Sequence, residues 1–299
     1  NDGSCYGYPD NGDYSLSFDG ENDYVQCSKV GPTGTQERTF EFVLKLDDIS
    51  NETQHLVMEY GEDELGELFI IRFGYIADGS NGGWGLYIVN GNAWSLFTNI
   101  IQDTNYHHYA LVMQEGESIN QLKLYQDGNE FDVTYSDFQN NNNSPNPYEI
   151  NTGNSIPIKF GTNPSGDFLK GSLDNFIVWD NSLTQTEILN HLSNEVMDNE
   201  EGLNGYWKFN AGDGTTLYDH SGNQNHGAIN GATWVENIYG CTDSYADNYN
   251  SNANVDDGSC AGYPSDGEHS LSFDGVDDYV EFGNSGPVGT SARTFQFKV

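Results

Sequence analysis

The sequence predicts an all-β fold: a two-sheet antiparallel jelly-roll sandwich with one short helix, in tandem repeats of 255 residues. Three observations predict it. Gly, Asn, Asp and Ser are abundant while long helical patterns are few, the composition of a turn-rich β domain. Short runs alternate apolar and polar residues with period two. The opening of the chain also returns near its end: Asp2-Gly-Ser-Cys5 as Asp257-Gly-Ser-Cys260, and Ser15-Leu-Ser-Phe-Asp-Gly20 as Ser270-Leu-Ser-Phe-Asp-Gly275.

Laid without gaps, residues 1–44 match residues 256–299 at about 25 of 44 positions. A period this long is unlike the ~20–50 residues of solenoid repeats. Each unit is long enough to bury its own core, so the expected architecture is a string of separate domains. The chain begins without Met and stops inside an alternating run, as expected of a window on a longer protein. The expected divisions are the end of a preceding linker (1–13), a sandwich (14–235), an Asn/Asp-rich linker (236–266) and the opening strands of the next repeat (267–299).

Along the sandwich, residues 14–18 and 23–26 read as short strands joined by the turn Asp19-Gly-Glu-Asn22. Arg38–Leu46 alternates strictly, placing Phe40, Phe42, Leu44 and Leu46 on a core face. Further strands are expected at 55–60, 67–73, 84–89, 94–98, 106–114, 120–126 and 130–135, the last two joined by Gln126-Asp-Gly-Asn129. Residues 140–147 read as a polar loop. Strands resume at 156–160 and 169–180, the latter through Leu173, Phe176 and Val178. Thr184-Gln-Thr-Glu187 is a capping box, in which hydroxyl and carboxylate satisfy the free N–H groups that open a helix. Ile188, Leu189 and Leu192 supply its apolar face, with an end expected near Asn194. Residues 205–209 and 232–235 return to strand. First and last strands commonly adjoin in a jelly roll, so 14–18 is expected beside the strands of 205–235.

The formal net charge is −36, from 46 acidic and 10 basic residues. That excludes nucleic acid, whose phosphates require Lys and Arg, and an anionic membrane surface. It favours a self-repelling surface that attracts cations, and equally fits adaptation to salty water. Aromatics at 13% separate the chain from disordered acidic tails. The sequence contains no run of 18 apolar residues.

Cys241 and Cys260 bracket one turn-rich segment, and Cys5 is the repeat equivalent of Cys260. Cys27 aligns with Phe282 and reads as a buried free thiol; a Cys5–Cys27 bond is the competing pairing. A bond between Cys241 and Cys260 implies an oxidising, extracellular setting.

Several groups are candidate sites. In the linker, Asn252, Asn254 and Asp256 alternate, with Asp243 nearby, an oxygen-rich set of the kind calcium takes. Asp257 stands where an EF-hand has Gly, and no Glu closes the loop. The competing reading is a series of Asx-turns, in which Asn and Asp side chains cap their own backbone. Trp84 and Trp94 are candidate glycan-stacking rings, with core packing as the alternative. Trp179, Trp207 and Trp234 read as packing residues. His107 and His108 point to opposite faces of a strand and do not share an ion. Glu59, Glu62, Asp63 and Glu64 read as a solvated acidic loop.

Leu16-Ser-Phe-Asp-Gly-Glu-Asn-Asp-Tyr-Val25, Tyr106-His-His-Tyr-Ala-Leu-Val112 with Leu122–Gly128, Gly171–Asp180 with the following helix, and Gly205–Phe209 through Trp234 together resemble laminin-G-like, concanavalin-A-like jelly rolls of large bacterial surface proteins. The 240–260 segment resembles a cysteine-bracketed module between domains of long secreted adhesins of the Bacteroidetes type. In related jelly rolls a structural calcium often sits where an early acidic turn meets the late strand, which here implies Asp19, Asn22, Asp23 and Asp174. Related glycosidases carry Glu-x-Asp-x-x-Glu on one strand, a run this chain lacks.

The expected function is thus a non-catalytic repeat of a secreted surface protein, acting in adhesion or as an extended filament. Its expected partners are neighbouring repeats, copies of itself, or surface glycans. The alternatives are a carbohydrate-binding lectin-like module and an accessory domain of a secreted glycosidase.

Overall fold

The computed structural model describes residues 7–49, 54–62, 67–76, 83–90, 93–97, 100, 103–131, 133–137, 150–162, 166–198, 200–263, 270–280, 294 and 296. The chain divides into two units, 1–237 and 238–299. Cys5 and the expected 140–147 loop lie outside the described residues.

In the first unit the strands are β1 (Tyr14–Asp19), β2 (Tyr24–Cys27), β3 (Arg38–Leu46), β4 (Gln54–Gly61), β5 (Leu68–Ile76), β6 (Gly83–Asn90), β7 (Ala93–Phe97), β8 (His107–Met113), β9 (Lys123–Gln126), β10 (Asn129–Phe131), β11 (Val133–Asp137), β12 (Ile156–Phe160) and β13 (Lys170–Trp179). Helix α1 (Gln185–His191) follows, then β14 (Leu203–Trp207), β15 (Thr216–Leu217), β16 (Gly227–Asn230) and β17 (Thr233–Glu236). The first sheet runs β10-β9-β8-β3-β13-β1-β17, with β14 also paired to β13. The second runs β11-β7-β6-β5-β4-β12-β2-β16-β15. The result is the jelly-roll-like, two-sheet antiparallel sandwich with one short helix that the alternation predicts.

The core between the sheets follows from that alternation. Phe40, Phe42, Leu44 and Leu46 of β3 are all buried, as are Leu16, Phe18 and Val25. Phe42 stacks on Phe176 with centroids 5.2 Å apart, and Phe160 lies 4.7 Å from Phe176 and 5.2 Å from Trp207. Each such ring, fully buried, contributes about 1.5–3 kcal/mol relative to exposure. Cys27 joins this core as a buried free thiol, and burial raises its pKa. Arg38 is also fully buried, because its guanidinium is satisfied: it donates to Pro32 O (2.7 Å), Gly34 O (2.7 Å), Gln36 O (2.9 Å), Tyr60 Oη (2.7 Å) and Thr152 Oγ1 (2.9 Å).

A second, smaller core lies on the outer face of the first sheet. There Ala110, Val112, Tyr125, Ile177, Trp179 and Tyr206 meet Leu183, Ile188 and Val196. Thr184 caps the helix as its capping box predicts: Glu187 N donates to Thr184 Oγ1, and Thr184 N donates to Glu187 Oε2 at 2.7 Å. Of the expected apolar face only Ile188 is buried; Leu189 and Leu192 remain 46% and 40% exposed. The helix ends at His191, short of Asn194.

Other expectations are corrected. The turn after β1 does not make a hairpin, because β1 lies in the first sheet and β2 in the second. The turn is local, whereas sheet membership is set by partners far away in sequence. The 130–135 strand divides likewise into β10 and β11, in different sheets. Residues 119–121 form a 3₁₀ turn rather than strand. Glu59, expected in a solvated loop, is buried in β4, 3.6 Å from Lys159 Nζ. Trp179 and Trp207 pack as expected; Trp234 is half-buried and donates Nε1–H to Gly214 O at 3.0 Å.

Residues 7–13, expected as linker, lie in the first unit. Asn11 donates N–H to Asn210 O (2.9 Å) and Nδ2–H to Ala211 O (2.6 Å). As expected, β1 lies beside a closing strand, pairing Leu16 with Trp234 of β17.

In the second unit, β18 (Tyr239–Gly240) and β19 (Val255–Asp256) pair in parallel, and a disulfide joins Cys241 to Cys260. Residues 270–280 contain no strand.

Candidate functional site

β13 pairs with β1 along its first half and with β14 along its second. Between them its register against β3 shifts, at Asp174–Ile177, and Asn175 adopts φ 46°. This is a β-bulge, which adds a residue to one strand and re-aims the side chains around it. It lets both Leu173 and Phe176 face the main core although they are three positions apart. It also holds Asp174 on the outer face.

Asp174 is 6% exposed. Its Oδ1 accepts Asn175 N–H at 2.7 Å, and its Oδ2 accepts from Asn237 Nδ2 at 3.4 Å. The same Nδ2 donates to Asp13 Oδ1 at 2.7 Å, and Asn237 N–H donates to Asp13 O at 2.9 Å. One neutral amide thus bridges two carboxylates, one just before β1 and one at the bulge, from a residue just after β17. Burial, and then the charge of Asp13, push the Asp174 carboxyl well above the usual carboxylate range. Asn237 is 8% exposed and its Oδ1 has no hydrogen-bond partner among the described residues. Tyr106 Oη, 2.9 Å from Ser15 Oγ, borders the cluster.

The donors are of the type a hard cation takes, and supply three of the roughly six to eight oxygens of a calcium shell. Two carboxylates and one amide oxygen are ligands calcium accepts. Rotating the Asn237 amide would exchange its nitrogen for the unpartnered oxygen. A cation there would offset the burial of the Asp174 charge and, after it, the repulsion from Asp13, the two causes that push its pKa upward.

The structure does not bring Asp174 to the early acidic turn. In the β1–β13 register Leu16 faces Leu173 and Asp19 faces Lys170. Asp174 therefore lies beside Ser15, four residues from Asp19 or about 13 Å of strand. At the turn, Asp19 Oδ1 accepts from Glu21 N (2.8 Å) and Asn22 N (3.4 Å), and Asp23 Oδ2 accepts from Asp19 N (2.8 Å). The equivalent Asp274, Asp277 and Asp278 have carboxylates within 4.8 Å of one another and are exposed.

Of the linker candidates, Asp243, Asn254 and Asp256 act as backbone caps, while Asn252 is itself capped by Asn250. Asp243 Oδ1 accepts from Tyr245 N (2.9 Å), Asn254 Oδ1 from Ile238 N (2.7 Å), and Asp256 Oδ1 from Gly258 N (3.1 Å). Asn252 N donates to Asn250 Oδ1 (3.1 Å).

A further polar cluster lies beside α1. Glu41 is fully buried, with His191 Nδ1 2.9 Å from Oε1, His108 Nε2 3.5 Å from Oε2, and Trp179 Nε1–H donating to Oε1 at 2.8 Å. Trp179 stacks on His191. Burial works against the Glu41 charge, but the two histidines outweigh it and lower the pKa. The adjacent His107 goes elsewhere, to Asp127 (2.7 Å) and Asp103 (3.1 Å). Trp84 stands in β6 opposite Tyr75, and Trp94 in β7 opposite Val89 and Ser136; their side chains lie outside the described ones.

The resemblance implied Asp174 together with Asp19, Asn22 and Asp23; sequence reasoning named neither Asp13 nor Asn237. No spacing rule links residues 224 apart. The available signal was the repeat, which retains a carboxylate at Asp13's equivalent, Glu268.

Comparison with solved structures places a candidate carbohydrate-binding protein from Bacteroides ovatus at TM-score 0.55 and 18% identity, over 76% of this chain and 60% of that one. The chain thus spans less than two thirds of that protein's length. A heptameric SAP-like pentraxin from Limulus polyphemus matches at TM-score 0.44 and 16% identity, over 61% of this chain and 82% of that one. Domains LG4–5 of the mouse laminin α1 chain match at TM-score 0.36 and 10% identity, over 57% of this chain and 46% of that one. No curated protein matches the chain. Residues 19–189, more than half of its length, match the Laminin_G_3 family, described as the concanavalin A-like lectin/glucanases superfamily, and the chain belongs to that family.

Proposed function

We propose that the chain is a non-catalytic, glycan-binding module of a repeated extracellular surface protein. Membership of a lectin and glucanase superfamily is the observation that carries this reading. Between those two activities, buried acidic chemistry favours binding. A glycosidase needs two carboxylates placed about a scissile bond. Here Glu41 is committed to two histidines, Glu59 faces Lys159, and Asp219 accepts the N–H groups of Tyr206, Ser221 and Asn225. The Cys241–Cys260 bond supports an oxidising, extracellular setting.

The net charge of −36 points to neutral rather than sialylated or sulfated glycans, because like charges repel. A glycan array probed with the 299-residue chain tests this. Binding to neutral glycans, lost in Trp94→Ala or Trp84→Ala, supports the reading; an array without binding, or binding confined to anionic glycans, contradicts it.

The repeat supports a second reading, in which the units act chiefly as an adhesive or filamentous stalk. Under either reading a divalent cation at Asp13, Asp174 and Asn237, calcium by its oxygen ligands, would hold the first strand, the bulged strand and the end of the sandwich together. Melting with calcium and with chelator tests it: a higher Tm with calcium, absent in Asp174→Asn, is expected.

A further inference from the structure

Tyr8 is seated in a cage of rings. It stacks on Tyr218 with centroids 5.2 Å apart and meets His220 and His226 edge-on at 5.3 and 4.9 Å. The cage is rigidly built. Asp219, fully buried, accepts backbone N–H groups from Tyr206, Ser221 and Asn225 at 2.8–3.0 Å, and its own N–H donates to His226 Nδ1 at 3.0 Å. The loop that carries the three cage rings is therefore fixed from inside. His220 is 8% exposed, and its Nε2 has no hydrogen-bond partner among the described residues.

The occupant of this cage is repeated in the sequence. Cys5-Tyr-Gly-Tyr8-Pro9 returns as Cys260-Ala-Gly-Tyr263-Pro264. Gly7 and Gly262 share the left-handed backbone, at φ 102° and 75°, so the tyrosine follows the same kind of bend in both copies. Yet Tyr8 is seated among rings, whereas Tyr263 is 50% exposed. Tyr263 follows the disulfide that closes the linker module.

We infer that Tyr263 is the plug of a second copy of this domain, taking there the place that Tyr8 holds in this one, in the cage formed by the equivalents of Tyr218, His220 and His226. The cysteine-bracketed module is thereby fastened to the domain that receives its tyrosine. Ring stacking and edge-on aromatic contacts supply the recognition, and the preset bend before the tyrosine limits what docking must order. Such docking is independent of glycan binding. In this chain the cage is filled by Tyr8, so a second plug enters only where Tyr8 is removed.

The ring protons of His220 and His226, followed by NMR in the 299-residue chain, report the occupant through its ring current. Tyr8→Ala is expected to shift both histidines, while Tyr8→Phe, which keeps the ring, leaves them near their original positions. A synthetic peptide of residues 261–266, titrated into the millimolar range against Tyr8→Ala, is expected to shift them back. The same peptide with alanine in place of its tyrosine is expected to do nothing, and neither peptide should move the wild-type signals. Histidine signals indifferent to Tyr8→Ala would overturn the inference. So would a peptide that fails to restore them, or one that shifts wild type and variant alike.

Discussion

Residues 15–25 and 270–280 carry nearly the same sequence and form the same turn. In the first, Asp19 N donates to Asp23 Oδ2 at 2.8 Å, Glu21 N to Asp19 Oδ1 at 2.8 Å, and Gly20 has φ 83°. In the second, Asp274 N donates to Asp278 Oδ2 at 2.9 Å, Val276 N to Asp274 Oδ1 at 2.8 Å, and Gly275 has φ 81°. Burial is opposite. Leu16, Phe18 and Val25 are 0–1% exposed; Leu271, Phe273 and Val280 are 73%, 54% and 47% exposed. Only the first copy contains strands. The turn is therefore written locally, by Asp side chains that cap their own backbone and by a Gly free to adopt positive φ. The strands are not. β1 exists because β13 and β17 supply its ladder and the opposite sheet covers its face.

The sharpest way to break this comparison is to truncate the same ring in each copy. Phe18→Ala is expected to cost about 3–5 kcal/mol, from lost burial plus the cavity left behind. Phe273→Ala should fall within about 0.5 kcal/mol of wild type, as surface changes do. Denaturant unfolding measures both, and equal costs would refute the distinction.

The next effect separates the two units. Cys241→Ser opens a bond spanning 19 residues of sequence, which on loop-entropy grounds is worth about 3 kcal/mol. The loss should appear as faster proteolysis and hydrogen exchange in 238–263, with the sandwich transition unchanged.

Within the sandwich, Asp174→Asn is expected to raise stability in chelator by about 1–2 kcal/mol at pH 7, the scale of a poorly satisfied buried group. Its raised pKa means that the folded state holds the proton to higher pH than the unfolded state. Its charge therefore opposes folding above the ordinary value of 3.8, in full once pH exceeds the folded value. The advantage of the variant should vanish as pH falls towards 3.8.

The smallest expected effect is at the helix, where His191→Gln should cost about 1 kcal/mol. Burial works against the His191 charge, but Glu41 outweighs it and raises the pKa. That contribution is fully present below the ordinary 6.5 and is lost as pH rises through the folded value. Glu41, with its pKa lowered, contributes above 4.5 and loses that contribution as pH falls through its folded value. Thermal melts should show the largest difference between wild type and variant at about pH 5–6 and a shrinking one in alkali.

The same division explains what was legible beforehand. The alternation of β3, the capping box of α1 and the turn at 126–129 are local patterns, and each is found where the residues put it. The odd spacing of Leu173, Phe176 and Val178 was a trace of the bulge, since strict alternation cannot put 173 and 176 on one face. Sheet membership of β1 and β2 was not legible, because partners more than a hundred residues away decide it. For the same reason Asp13 and Asn237 escaped notice; Asp174 was named only through the family resemblance, with Asp19, Asn22 and Asp23.

The most direct test of the central claim, that one complete sandwich gives the opening segment its structure, is residue-resolved hydrogen exchange across both copies. The account predicts that the amides of Leu16 and Phe18 are protected to the level of global unfolding, while those of Leu271 and Phe273 exchange at nearly unprotected rates. Comparable protection at the two pairs would contradict it.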